Sequence, residues 1–112
     1  MEISLADALR SWAQGEPNVK RAWIFGSRAR GDQRDDSDLD VAVEISQEAR
    51  GPRTMRGYWI SEGDAMQDRL RQHFAKSFPD LEVNLDLYHR YLGKTAYAAI
   101  SRDGLQPAYR RP

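Results

Sequence analysis

The sequence predicts an α/β domain in the order αβαβαβα, a small mixed sheet of about three strands backed by helices. Three short segments, 19–25, 39–45 and 82–88, are rich in β-branched and aromatic residues or alternate between apolar and polar ones. That is the pattern of strands with a buried face. Around them, apolar residues recur at helical spacing. A length of 112 residues suffices for one small core and no second, so residues 1–112 are read as one domain.

In chain order, Leu5, Leu9, Trp12 and Ala13 share a helix face, with Ser4 and Asp7 in capping-box relation and Gly15 to Pro17 ending the helix. Val19–Phe25 is the first strand and stops at Gly26, after which Ser27-Arg28-Ala29-Arg30 forms a short helical turn closed by Gly31. In Leu39–Ile45 the apolar Leu39, Val41, Val43 and Ile45 face one way, and Asp40, Ala42 and Glu44 follow Asp38 on the other, a half-buried strand. Residues 47–57, with Arg50, Arg53 and Arg56, read as a mobile basic loop. A helix is expected from near Ser61, with Asp64 in capping position, through Met66, Leu70 and Phe74 until Pro79 stops it. The third strand, 82–88, turns Val83, Leu85 and Leu87 to the core and Asn84, Asp86 and Tyr88 away from it. A short helix over 94–101, followed by Gly104, completes the order. The tail after Gly104 receives no role.

Composition narrows the function classes. Seventeen basic residues balance seventeen acidic ones, which argues against affinity resting on broad contact with a nucleic-acid backbone. The absence of cysteine excludes disulfides and thiolate metal sites. Neither a secretory leader nor a bilayer-length apolar run is apparent, so no membrane association and a cytoplasmic location are expected.

The chemistry concentrates in Gly26-Ser27-Arg28-Ala29-Arg30-Gly31-Asp32 and Ser37-Asp38-Leu39-Asp40. Phosphoryl transfer from a triphosphate needs metal held in place and a grip on the phosphates that stay behind. Gly26 lets a phosphate approach the backbone, the Ser27 hydroxyl can donate, and the exposed N–H groups of the turn favour negative charge. Arg28 and Arg30 can add charge-assisted hydrogen bonds, or pair with Asp32, Asp35 or Asp36 for little energy. Ser37 shapes the turn and is a further candidate contact to the nucleotide. Asp38 and Asp40, about 7 Å apart along a strand, share a face on which two carboxylates repel unless a cation intervenes. Two Mg2+ ions fit such a pair. Asp86, on the polar face of the third strand, completes a three-carboxylate cluster if its strand lies alongside, and can then help deprotonate an acceptor.

These residues resemble the signature of the DNA polymerase beta nucleotidyltransferase superfamily, and GSRARGDQRDDSDLDVAV resembles its minimal nucleotidyltransferase (MNT) branch, found beside HEPN-domain toxins. The resemblance implies a nucleotidyltransferase fold, metal on Asp38 and Asp40, and a site completed by Asp86. It also implies triphosphate held by Gly26 and Ser27, and ATP and Mg2+ as substrate and cofactor. It further implies an antitoxin that adenylylates a tyrosine near the RNase site of its HEPN partner and assembles with it. Size points the same way: little chain is left for an acceptor-recognition domain, so the acceptor must be presented by a partner's own shape.

Competing readings remain for several residues. Gly26-Ser27 alone reads first as a capped turn, and Asp38 and Asp40 alone are equally solvent-facing strand residues. His73 and His89 have no second histidine at ligand spacing and are read as structural or solvated. Trp12, Trp23 and Trp59 are expected to be buried, Trp59 with a partner-anchoring alternative. Two other functions stand beside the protein adenylyltransferase: an antitoxin that neutralises its partner by binding alone, and a nucleotidyltransferase for RNA or a small molecule. The neutral charge, and the absence of aromatic residues interleaved with basic ones, argue against the RNA reading.

Overall fold

The computed structural model describes residues 3–31 and 37–112. Asp32, Asp35 and Asp36, named above as partners for the arginines, lie outside them. The elements are α1 (Leu5–Gln14), β1 (Val19–Phe25), α2 (Ser27–Arg30), β2 (Leu39–Ile45), α3 (Gln47–Arg50), α4 (Met55–Ala75), β3 (Val83–Leu87), α5 (Lys94–Asp103) and β4 (Tyr109–Arg110). The sheet order is β3-β2-β1-β4. Strand β1 runs antiparallel to β2 and β4, whereas β2 and β3 are parallel, joined by the α3–α4 crossover.

The expected mixed sheet backed by helices is present, with four strands where the sequence predicts about three. Tyr109 and Arg110 pair with Ala22 and Arg21, so the tail forms the fourth strand. Ser4 Oγ accepts from the Asp7 N–H at 3.0 Å, as the capping pattern requires. The basic stretch is not a loop but α3 followed by the start of α4. That helix begins six residues before Ser61, because Thr54 Oγ accepts from the Gly57 N–H at 3.0 Å and caps it there.

Two apolar layers sandwich the sheet. On one face α1 and α4 place Leu9, Trp12, Met66, Leu70 and Phe74 against Val41, Val43 and Val83. On the other, α5 lays Ala96 and Ile100 over Trp23, Phe25 and Ala42. Ala42 is therefore buried among side chains where the alternation placed it on a polar face, and β2 is covered on both sides at its middle. Trp12 and Trp23 are core residues as expected. Trp59 is partly buried, its ring lying over Gly63 one turn on, where an added Cβ would sit 3.1 Å from Cε2.

The edge of β3 is not left open. The Leu85 N–H donates to Gln67 Oε1 at 3.1 Å, and Arg71 Nε donates to the Val83 carbonyl at 2.8 Å. Side chains of α4 thus take the partners that an added strand would use. Among the described residues no helix is long and apolar enough to cross a membrane.

Candidate active site

Strand β1 delivers its last residue, Phe25, opposite Asp40, so the turn after it falls beside that carboxylate. Gly26 has φ 79° and ψ −152°, a backbone state that side chains disfavour. A Cβ there would lie 2.5 Å from Asp40 Oδ2. Glycine is thus demanded twice, by the turn and by the aspartate. The Gly26 carbonyl accepts from the N–H groups of Ala29 and Arg30 at 3.1 and 3.2 Å, starting α2 with Ser27 at its first position.

The residues that the sequence marks fall into three groups. Gly26, Ser27, Asp38 and Asp40 gather where β1 ends and β2 begins. Arg28 Nε and Nη2 both donate to the Ser37 carbonyl, at 3.2 and 2.7 Å, bracing α2 against the approach to Asp38. Arg30 is exposed at the end of α2. Asp103 is held below its ordinary range mainly by its hydrogen bond from Arg102, with the Arg30 charge adding to it.

The parallel register decides what β3 contributes. Asn84 stands opposite Asp40, and Asp86 stands opposite Ala42, one pleat further along. Nothing in the sequence pattern singles out Asn84, yet its Nδ2 donates to Asp38 Oδ2 at 3.2 Å, and its side chain also hydrogen-bonds Asp40. Its own orientation is set from α4: Arg71 Nη2 donates to Asn84 Oδ1 at 3.2 Å while Nε holds the Val83 carbonyl. An arginine can only donate, so it fixes the amide with its NH2 toward the aspartates.

Electrostatics mark this cluster as strained. Burial raises the Asp40 carboxyl above its ordinary 3.8, the charges of Asp86 and Asp38 raise it further, and Asn84 partly offsets them. Partial burial alone raises Asp86, which is otherwise exposed. Asp38 and Asp86 each lie within electrostatic reach of Asp40. Among the described residues, however, no three acidic or imidazole groups are already gathered at metal-ligating separation. A shallow cavity of about 400 Å3 opens beside Asp38, lined by Ser37 and residues 78–82.

The family model described as polymerase beta, nucleotidyltransferase, matches residues 7–87. The chain belongs to this nucleotidyltransferase family. The matched span runs from α1 through β3 and contains Gly26, Ser27, Asp38, Asp40, Asn84 and Asp86. Helix α5 and strand β4, which close the second face and the far edge of the sheet, lie beyond it. No curated protein sequence matches the chain significantly. In this member of the family the glycine turn and the aspartate pair occupy neighbouring strand ends.

Proposed function

We propose that this nucleotidyltransferase moves AMP from ATP to a tyrosine hydroxyl of a partner HEPN ribonuclease, neutralising it as its antitoxin. The observation that carries the reading is the Asp38–Asp40 pair set against the Gly26-Ser27 turn. One wall offers carboxylates for cations, and the other offers a hydroxyl and a backbone close enough for phosphate oxygens.

Asp38 and Asp40 suit Mg2+, because their mutual repulsion, and that of Asp86, is relieved by positive charge. Bound Mg2+ supplies neutralisation of the charge that builds on the triphosphate. Gly26 and Ser27 hold the non-transferred phosphates, Arg30 stands at the open end of the same turn, and Arg28 with Ser37 keeps turn and strand together. The tyrosine oxygen bonds to the α-phosphorus as the bond from that phosphorus to the bridging oxygen breaks. Pyrophosphate leaves with the bridging oxygen and its electron pair. The hydroxyl proton passes to Asp86, whose raised affinity for protons suits a base, and on to water.

Intact mass of the HEPN partner, after incubation with this protein, ATP and Mg2+, tests the proposal. Increments of one or more AMP units are expected, and none with the Asp38→Asn/Asp40→Asn variant. An unmodified partner with full activity of the wild-type preparation toward neutralisation would overturn it. One observation favours a second reading, neutralisation by binding alone: the β3 position facing Asp40 is an amide, Asn84, and not a carboxylate. In that case the Asp38→Asn/Asp40→Asn variant neutralises as well as the wild type, with or without Mg2+.

A further inference from the structure

A second concave site lies at the far end of β2 from Asp38 and Asp40, with Leu87 and Tyr88 of its lining following Asp86 along the chain. Along β2 it is separated from Asp40 by five residues, about 17 Å at strand rise. Its volume is about 480 Å3, within the range of small-molecule sites. Ile45, Met55 and Leu87 give it an apolar floor. Its polar lining comes from five separate elements or connections: Lys20 from β1, Glu44 from β2, Gln47 and Arg50 from α3, Thr54 from the cap of α4, and Tyr88 and His89 after β3.

The lining is biased toward donors. Lys20 occupies an irregularity in the β1–β2 ladder, where the pairing passes from Val19↔Ile45 to Arg21↔Glu44 and leaves Lys20 as the extra residue. Bulges of this kind re-aim a side chain, and this one turns Lys20 to the cavity. Among the described residues its ammonium has no acidic partner. His89 Nδ1 accepts from the N–H groups of Tyr91 and Leu92, both at 3.1 Å, which leaves the ring proton on Nε2 as a donor. Arg50 Nη1 donates to the Arg53 carbonyl, which holds the guanidinium at the rim. The one carboxylate of the lining, Glu44, is already held by both arms of Arg21, at 2.6 and 3.0 Å. Its charge is thus offset before any ligand arrives.

We infer that this cavity binds a small phosphorylated molecule, its phosphate against Lys20, Arg50 and His89 and its less polar part on the Ile45–Met55–Leu87 floor. Phosphate fits better than an uncharged polar group because three of the lining side chains can only donate to it, two of them carrying full charge. The site is distinct from the Asp38–Asp40 pair and the Gly26-Ser27 turn, none of which lines it, and stands whether or not the protein transfers nucleotides. A ligand there touches α3 and the start of α4, the crossover that links β2 to β3, and so reaches the two strands that carry Asp40 and Asn84.

The test is a 15N–1H correlation titration with AMP in the presence of EDTA, which removes divalent cations from the aspartates. Saturable shifts are expected at the amides of Lys20, Gln47, Arg50, Thr54 and His89, with Gly26 and Ser27 unmoved. Lys20→Ala should weaken binding about tenfold, the loss of one charge-assisted hydrogen bond. Lys20 is exposed and holds no other group through its side chain, so the variant keeps its fold, checked by unchanged dispersion of the spectrum. Absence of saturable shifts, shifts confined to Gly26 and Ser27, or undiminished affinity in Lys20→Ala would each overturn the inference. So would succinate shifting the same amides as strongly as AMP, since a site for partner carboxylates would behave that way.

Discussion

Asp40 concentrates the conflict between function and stability in a single side chain. Burial and two neighbouring carboxylates raise its proton affinity in the folded protein above the ordinary 3.8. The folded state therefore holds a proton that the unfolded state releases, and metal-free protein loses stability as pH rises from 3.8 through the raised value. Asp40→Asn is expected to raise the melting temperature at neutral pH, with the gain fading as pH falls through the raised value and gone below 3.8. Thermal unfolding across that range decides it, and a gain that persists in acid would assign the effect to something other than charge. Gly26→Ala tests the other wall of the site. The positive φ and the 2.5 Å approach to Asp40 Oδ2 predict a loss of about 1–3 kcal/mol, together with loss of transfer. Both residues are legible in the sequence because the turn and the aspartates lie close along the chain. Asn84 is not, because only the parallel register of β2 and β3, strands separated by the whole of α4, shows which residue faces Asp40. Asn84→Ala should weaken metal affinity or turnover by about tenfold to a hundredfold, the usual effect of removing a group that orients ligands. Mn2+ titration measures it independently of turnover, and unchanged Mn2+ affinity and turnover would reduce Asn84 to a spectator.

At the scale of elements, α4 does the most and departs furthest from what its sequence predicts. Its buried stripe runs Tyr58, Gly63, Met66, Leu70, Phe74, and a glycine in the stripe hides the period from the sequence. Trp59 restores the surface by folding its ring over Gly63. Arginines clustered around Gly51 and Pro52 suggest a loop, but Arg53 is spent locally, over the Tyr58 ring and against Glu62 at 3.4 Å. Helix α4 also guards the sheet. Gln67 occupies the Leu85 N–H on the outer side of β3, and a bare edge there would present that donor to another chain. Gln67→Ala is expected to leave the aspartate cluster intact while promoting self-association, visible as a concentration-dependent shift in sedimentation velocity. A variant that stays monomeric at the highest concentrations would show that Arg71 alone suffices to block the edge. The core face makes a larger demand. Leu70→Ala should cost about 2–5 kcal/mol, because Leu70 is fully buried between α4 and the sheet.

The whole molecule is closed by its last residues, whose role no sequence pattern betrays: a two-residue strand has too few positions to show alternation. Their contacts reach α1, β1 and the turn between them. The Ala108 and Arg111 N–H groups donate to the Ala22 and Lys20 carbonyls, at 2.8 Å each, and Tyr109 is buried. Arg111 goes further. Its guanidinium donates to the carbonyls of Ala13, Glu16 and Val19 at 3.0, 2.8 and 2.9 Å, supplying partners to the end of α1 and the turn into β1. The Glu16 side chain, in turn, is gripped by Arg69 of α4 at 2.8 and 2.9 Å. One arginine thus ties β4, α1 and β1 together beside the ion pair that anchors α4. Arg111→Ala removes all three of these hydrogen bonds, although Ala13 and Glu16 keep backbone donors to their carbonyls, and should cost about 1–3 kcal/mol. At the usual slope for a domain of this size, that is a drop in melting temperature of about 4–8 °C per kcal/mol. Arg111→Lys should recover little, since a single ammonium cannot span three carbonyls. The aspartate cluster lies at the far end of β1 from this junction, so turnover per folded molecule at low temperature should not change in either variant. A fall in turnover matching the fall in stability would mean that the two ends of the sheet are coupled, and that the family's matched core does not act independently of the strand that closes it.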